Sequence, residues 1–266
     1  MSPRQPVLFL SHGSPLTALG GDELASSWAR LAGRLSRPAA ILMVSAHWTT
    51  RIPMLSGGAQ PGTIHDFGGF PAELYALRYP VPGDPGLALR VKQVLAGTGI
   101  AAGVDASRGL DHGAWVPLRS LFPDADVPVV QLSVQPERCA RHHFALGRAL
   151  AAFSDENVLV IGSGHMTHNL MDYMHPTGAL PAAESRAFRE WVHALVLGGG
   201  EAAIEALFDW ERQAPGARAA HPTPEHFLPL FVALGAAGAE YKTEWLGGGW
   251  VGDALAADGY LFERVQ

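Results

Sequence analysis

Residues 157–170, NVLVIGSGHMTHNL, join an apolar run to a glycine-rich turn that carries two histidines. The run over 157–162 is apolar almost throughout and bounded by turn residues, which is typical of a buried strand. The glycines that follow it let the backbone turn sharply and leave room for a bulky side chain. This stretch therefore predicts a strand that brings His168, with His165 just before it, to one edge of a sheet.

Three other segments share this apolar character, at 6–11, 39–45 and 127–133. Shorter strands are predicted at 100–104, 240–246 and 259–265, and helices over 22–35, 71–77, 84–96, 113–121, 136–153, 180–197, 201–207 and 224–234. Buried strands that alternate with helices favour an α/β fold, with a central, mostly parallel sheet and helices on both faces. Because no linker, low-complexity tract or internal repeat divides the sequence, we expect a single domain over residues 1–266.

The composition argues against several classes of partner. The chain has 266 residues, a net charge of −6 and a pI near 6.0, whereas a nucleic-acid-binding protein normally has a basic face. No apolar stretch approaches the ~20 residues that cross a bilayer, and the N-terminus lacks the pattern of a secretory signal. We expect a cytoplasmic protein that binds neither nucleic acid nor membrane; the sequence leaves its oligomeric state open.

A single cysteine, Cys139, excludes an internal disulfide and a cysteine-based zinc site, so any metal must be held by nitrogen and oxygen. The twelve histidines are the obvious candidates. Like His168, His12 and His47 follow predicted strands, His12 directly, at the carboxyl edge where α/β sheets bind ligands. Others lie in loops rich in glycine or proline, namely His65, His112, His221 and His226.

A lone histidine in a loop is more often a hydrogen-bonding residue than a ligand, and His142, His143, His175 and His193 are assigned to that class. Repeated placement at one edge distinguishes the other group, and imidazole suits both zinc and iron. Asp66 and Asp111 are predicted to orient histidines or to cap helices, whereas Glu225 is expected to be solvated in the first turn of a helix.

Ser163 offers a competing, nucleophilic site, since it lies between two glycines near His165. GSGH does not match the nucleophile-elbow pattern G-x-S-x-G, so a turn residue is the preferred interpretation. The sequence contains no glycine-rich phosphate-binding loop and no GxGxxG after a strand, so no nucleotide cofactor is expected.

The motifs, taken in order, resemble the class III (LigB-type) extradiol ring-cleavage dioxygenases, and most of all their DOPA-4,5-dioxygenase-like branch. They are LSHGSP (10–15), VSAHW (44–48), TIHDFGGFP (63–71), GLDHGAW (109–115), VQLS (130–133), SG…THNL (163–170) and HPTPEHFLPL (221–230). The resemblance runs from about Leu8 to about Gly235, and together these motifs are highly specific.

The resemblance implies a role for each matching residue. His12, His47 and His226 correspond to metal ligands, His226 standing where related branches have a carboxylate. His168 corresponds to the catalytic histidine, a possible fourth ligand, although His165 could take its place. His112 corresponds to a second catalytic histidine near the substrate.

We expect the substrate pocket to include His65, Asp66 and Trp48. The resemblance also implies Fe(II) for activity, with O2 and a catechol as substrates. Three neutral imidazoles would leave Fe(II) with a formal +2 charge, which favours a fully deprotonated catecholate; Zn(II) could also fill such a site in purified protein. A zinc hydrolase or a non-catalytic metal-binding protein with the same histidines remains the alternative.

Overall fold

The structure, a computed structural model, describes residues 4–175, 182–252 and 254–265. Its strands are β1 (Val7–Ser11), β2 (Ala40–Thr49), β3 (Met54–Ser56), β4 (Gly103–Asp105), β5 (Val129–Val134), β6 (Val158–Gly164), β7 (Tyr241–Trp245), β8 (Trp250–Val251), β9 (Leu255–Ala256) and β10 (Gly259–Arg264). Within the described residues, eight of them form one sheet in the order β4-β3-β5-β2-β6-β1-β10-β7. The central strands β5, β2, β6 and β1 are parallel, and β10 and β7 extend one edge in antiparallel pairing.

Helices cover both faces of this sheet. They are α1 (Glu23–Ala32), α2 (Ala72–Ala76), α3 (Pro85–Gly97), α4 (His112–Leu121), α5 (Ala140–Leu150), α6 (Leu170–Met174), α7 (Ala183–Gly198), α8 (Gly200–Phe208), α9 (Trp210–Gln213), α10 (Ala217–Ala220) and α11 (Leu228–Ala236). Short 3-10 turns occupy Pro15–Leu19 and Ala151–Glu156. The predicted α/β class with a mostly parallel sheet is therefore confirmed.

The alternation of side chains along β1 shows how the two faces are divided. Val7 and Phe9 belong to the core cluster on the α11 side, whereas Leu8 and Leu10 belong to the cluster that contains Trp28 of α1. Successive residues of a strand point to opposite faces, so a strand buried on both sides must be apolar at every position. This is why the continuous apolar runs predicted the central strands correctly.

Two predicted boundaries near the site need correction. Strand β2 continues past residue 45 to Thr49, so His47 lies within the strand and not after it. Its last residues are held by Thr49 pairing with Val134 after a break in register. The helix predicted over 224–234 begins at Leu228, because 224–227 form a turn closed by the Phe227 N–H on the Pro224 carbonyl.

Two other helices also differ from their predicted bounds. The helix predicted over 136–153 is α5 followed by a 3-10 turn, and it begins four residues later than predicted. The helix predicted over 180–197 corresponds to α7, with residues 180 and 181 outside the described part of the chain. Among the described helices, none combines the length and apolar character needed to cross a bilayer.

Candidate active site

Three histidines from distant parts of the chain converge at the carboxyl edge of the central strands. His12 follows β1, His47 lies near the end of β2, and His226 lies in the turn before α11. The Nε2 atom of His47 is 3.0 Å from Nε2 of His12 and 3.2 Å from Nε2 of His226. His12 and His226 are buried, and the His47 side chain is 20% exposed.

The opposite nitrogen of each ring faces a hydrogen-bond acceptor. Nδ1 of His226 is 3.1 Å from a carboxylate oxygen of Glu225, and Nδ1 of His47 is 3.5 Å from Asp66. Nδ1 of His12 is 3.1 Å from the Ser163 hydroxyl, which donates its own hydrogen to the Gly113 carbonyl at 2.5 Å. Because that hydrogen is already committed, Ser163 must accept from His12 Nδ1. All three protons are therefore drawn to Nδ1, and three Nε2 lone pairs point at one another.

This donor set fits a metal ion. Bare nitrogens brought this close repel one another unless a cation lies between them. Two imidazole nitrogens held at a right angle, each ~2.1 Å from one ion, would be about 3.0 Å apart, close to the spacings seen here. Ligating histidines also usually donate their second N–H to a carboxylate, a carbonyl or another acceptor, as His12 and His226 do here, and Nδ1 of His47 faces Asp66. His12, His47 and His226 could thus hold one divalent metal ion.

Two residues around this triad differ from their predicted behaviour. Ser163 was assigned to a turn, but it lies on β6 and fixes the proton of His12. Glu225 was expected to be solvated in the first turn of a helix, but it precedes α11, and its side chain is 20% exposed and hydrogen-bonded to His226. Because Glu225 and His226 are adjacent in sequence, this contact could have been expected from the sequence.

His112 and Asp66 form a second unit against the triad. One Asp66 oxygen accepts from the backbone N–H of His112 at 2.9 Å and from its Nδ1 at 3.0 Å. The His112 ring lies 3.9 Å from that of His47, measured between centroids. Since Nδ1 carries the proton, Nε2 of His112 is left as a hydrogen-bond acceptor. Asp66 therefore contacts two histidines at once, one of them in the triad.

His168 and His165 occupy different positions relative to the triad. The His168 ring stacks on His226, with centroids 3.3 Å apart and planes inclined by 8°. His165 is buried behind His12 and lies 3.2 Å through Nε2 from the Gly13 carbonyl. Among the described residues, three groups have potential ligand atoms within 4.8 Å of one another: His12 with His47 and His226, His47 with Asp66 and His112, and His168 with Glu225 and His226; none of the three includes His165. His168 is thus closer than His165 to the position of a reacting group.

Burial keeps these histidines neutral. Desolvation, with the nearby imidazoles, lowers the pKa of His47 to about 3 and that of His168 to about 2. The same causes hold the pKa of His12 and of His226 well below the usual value. For Asp66, burial alone would raise the pKa, but hydrogen bonds from His112 outweigh it and bring the pKa to about 2. Neutral imidazoles beside an ionised carboxylate are the protonation states that metal binding requires.

The remaining predicted pocket residues lie farther out. His65 hydrogen-bonds the Leu77 carbonyl at 3.0 Å and packs against Phe67, which in turn contacts His112 at 5.7 Å between centroids. Trp48 is buried under the guanidinium of Arg108 at 5.0 Å, and the ring contacts of the described residues include none between Trp48 and the triad. Phe67, which the sequence analysis did not name, is therefore closer to the reacting histidines than His65.

Asp111 supports the site from below without touching a histidine ring. It is fully buried and accepts hydrogen bonds from Ser45 at 2.6 Å, from Arg108 at 2.7 Å and from Gln131. Ser45 in turn accepts from the backbone N–H of His47 at 3.2 Å. Burial raises the pKa of Asp111 despite these contacts. Its effect on His47 passes through Ser45 and the strand, in keeping with an orienting role.

Comparison with known proteins identifies the family. Residues 6–263 match the model of the catalytic LigB subunit of aromatic ring-opening dioxygenase. The chain is 42% identical to a 4,5-DOPA dioxygenase extradiol of Beta vulgaris, over 96% of both chains. It is also 42% identical to proteins of that name from Escherichia coli, over 88% of this chain and 86% of that one, and from Portulaca grandiflora, over 97% and 95%.

A solved structure agrees with these relatives. The crystal structure of an uncharacterized protein from Escherichia coli K12 superposes with a TM-score of 0.83 at 34% identity, covering 97% of this chain and 99% of that one. Family match, relatives and fold point to the same conclusion. The chain belongs to the LigB family of aromatic ring-opening dioxygenases, in its DOPA-dioxygenase-like branch, and is an extradiol ring-cleaving enzyme.

Proposed function

We propose that this protein is an Fe(II)-dependent dioxygenase that opens the ring of a DOPA-like catechol to a semialdehyde. The observation that carries the proposal is the convergence of three Nε2 atoms at 3.0–3.2 Å while each Nδ1 faces an acceptor. His12, His47 and His226 would hold the ion, which leaves the other coordination positions for substrates. Fe(II) would supply a redox-active centre at which a chelated catechol and O2 react.

The chain's own groups would handle the protons. His168 stacks on His226 beside the ion's place, where its imidazole can take a phenolic proton from the bound catechol as a general base. The unprotonated Nε2 of His112 can accept a second hydrogen bond from a substrate hydroxyl, and Asp66 stabilises the ring once it is protonated. The buried setting excludes water and strengthens these contacts.

The substrate assignment rests on the relatives. Those from Beta vulgaris, Escherichia coli and Portulaca grandiflora are named 4,5-DOPA dioxygenases at 42% identity. Phe67 contacts His112 and packs within a group of aromatic rings that includes Phe70, Tyr75 and Trp115. Such rings suit a flat aromatic substrate, although packing accounts for the buried Trp115. His65, Asp66 and Trp48 stay candidates for substrate contact.

The test is oxygen uptake by protein reconstituted anaerobically with Fe(II). DOPA, caffeate and protocatechuate are offered in turn, and a new visible absorption band reports the ring-opened product. Zn(II)-loaded protein is the matched control, because zinc binds the same ligands but has no redox chemistry. Uptake only with Fe(II) supports the proposal; fully Fe(II)-loaded protein that consumes no oxygen with any catechol refutes it. We further propose that the enzyme acts in the cytoplasm, as one domain over residues 1–266.

A further inference from the structure

His221 is a buried histidine that none of these roles uses. It is 3% exposed, and its ring packs against Phe188 and Phe227, with centroids 5.3 and 5.0 Å away. Its Nε2 lies 2.9 Å from the carbonyl oxygen of Met166. Because a carbonyl can only accept, this nitrogen carries the proton. Burial lowers the pKa of His221 to about 3, so the ring is neutral and has a single N–H.

The other ring nitrogen is left without a partner. Nδ1 of His221 is buried and has no hydrogen-bond partner within the described part of the chain. A phenylalanine would fill the same aromatic space without burying a bare acceptor. What histidine adds at this position is therefore the one hydrogen bond to Met166.

Met166 lies in the turn between His165 and His168, and this turn is paired with the segment that leads to His226. Three more hydrogen bonds join this turn to that segment. The backbone N–H groups of His168 and His165 donate to the carbonyls of Ala220 at 2.7 Å and of His226 at 2.9 Å. The side-chain amide of Asn169 donates to the Ala219 carbonyl at 2.9 Å. His168 and His226 stack where the paired segments meet. A shift of the turn would therefore move His168 relative to the triad.

We propose that His221 is a positioning residue, whose Nε2–H fixes the Met166 carbonyl and so sets the orientation of His168 against His226. The proposal deepens the proposed function, on which it rests for the role of His168. Within the described residues, the ring contacts and hydrogen bond of His221 are with Phe188, Trp210, Phe227 and Met166 and with no histidine of the triad.

The kinetic test uses three variants of the full chain loaded with Fe(II). His221→Phe keeps the aromatic volume and removes the donor, and His221→Gln restores an N–H at a similar reach. His193→Phe is the matched control, because His193, on α7, also loses one ring hydrogen bond in this substitution, the one with the Tyr260 hydroxyl of β10 at 2.9 Å. We expect His221→Phe to lower kcat ~10–100-fold, as changes around metal-site ligands do, with KM and metal content unchanged.

His221→Gln should recover most of that loss, and His193→Phe should retain wild-type kcat. Full kcat in His221→Phe would overturn the proposal. So would equal losses in His221→Phe and His221→Gln that follow thermal stability, since this pattern indicates a packing role.

A second readout does not depend on turnover. In Zn(II)-loaded protein, long-range 1H–15N NMR should show His221 protonated at Nε2, and the His168 ring resonances should shift in His221→Phe but not in His193→Phe. Protonation at Nδ1 in the wild type would overturn the proposal even if His221→Phe failed to fold. If these signatures hold while the Fe(II) protein cleaves no catechol, the proposed function fails and the positioning role stands.

Discussion

Replacing Asp66 by asparagine should weaken metal binding and turnover together. The Asp66 carboxylate receives both N–H groups of His112 on one oxygen, at 2.9 and 3.0 Å, and faces Nδ1 of His47 with the other at 3.5 Å. In Asp66→Asn the amide oxygen can keep the His112 contacts. The amide NH2 then stands where the second oxygen was, and two donors meet at His47.

The magnitude follows from what His47 must do to relieve this clash. Moving its proton from Nδ1 to Nε2 satisfies the asparagine but places a proton where the metal ion binds. The variant must then either leave two donors facing each other or give up one ligand of the ion. Changes of this kind around ligating histidines cost ~10–100-fold in metal affinity or activity, equivalent to about 1.4–2.8 kcal/mol.

The assay is competition with a chelator of known affinity for Fe(II) or Zn(II), followed by kcat/KM for the best catechol under saturating metal. Asp105→Asn is the control, since Asp105 is a carboxylate on β4 whose hydrogen bonds come from Ser107. Retention by Asp66→Asn of both metal affinity and kcat/KM, within about twofold of the control, would refute the shared-carboxylate argument.

Other residues give independent predictions. His226→Ala removes one of three converging nitrogens, so the desalted protein should lose its metal, as measured by elemental analysis; a full equivalent of metal would contradict the ligand set. In Gly164→Ala the new Cβ would lie 2.0 Å from the His226 carbonyl oxygen, whereas a Cβ at Gly97 meets nothing within 4 Å. Gly164→Ala should therefore cost ~1–3 kcal/mol and lower Tm by several degrees in calorimetry, and Gly97→Ala should not. Burial lowers the pKa of His143 to about 3, so only the unfolded chain takes up its proton as pH falls below about 6.5. This contribution to the free energy of unfolding is fully present above about pH 6.5 and should fall by about 2 kcal/mol between pH 7 and 5, as measured by urea unfolding. In His143→Gln the free energy of unfolding should change less between pH 7 and 5, by that amount. The same pH dependence as the wild type would show that His143 does not contribute.

The central strands could be predicted because a strand buried on both faces is apolar at every position, and such a run is visible in the sequence. The apolar segments 6–11 and 157–162 correspond to β1 and β6 within two residues at each end. The edge at which the histidines gather followed from the parallel arrangement of such strands. Local pattern was thus sufficient for these central strands and for the approximate place of the site.

Features that depend on distant partners could not be predicted in this way. The last residues of β2 are polar or aromatic, and they stay in the sheet because Thr49 pairs with Val134. The hydrogen bond from Ser163 to His12 likewise needs β1 and β6 side by side. Local sequence patterns do not predict which strands lie side by side. The acceptor of each histidine could therefore be identified only from the structure.

The carboxylates that face two of these histidines also change the expected charge around the metal site. Three neutral imidazoles suggested a site that differs by one full charge from two histidines and a carboxylate. The structure places Asp66 and Glu225 directly behind His47 and His226, at their Nδ1 atoms. A carboxylate that draws on the Nδ1 proton makes Nε2 more basic while the ring stays neutral. The negative charge would therefore lie one imidazole farther from a bound ion, and the Nε2 side would be left to that ion and to the catecholate of the proposed reaction.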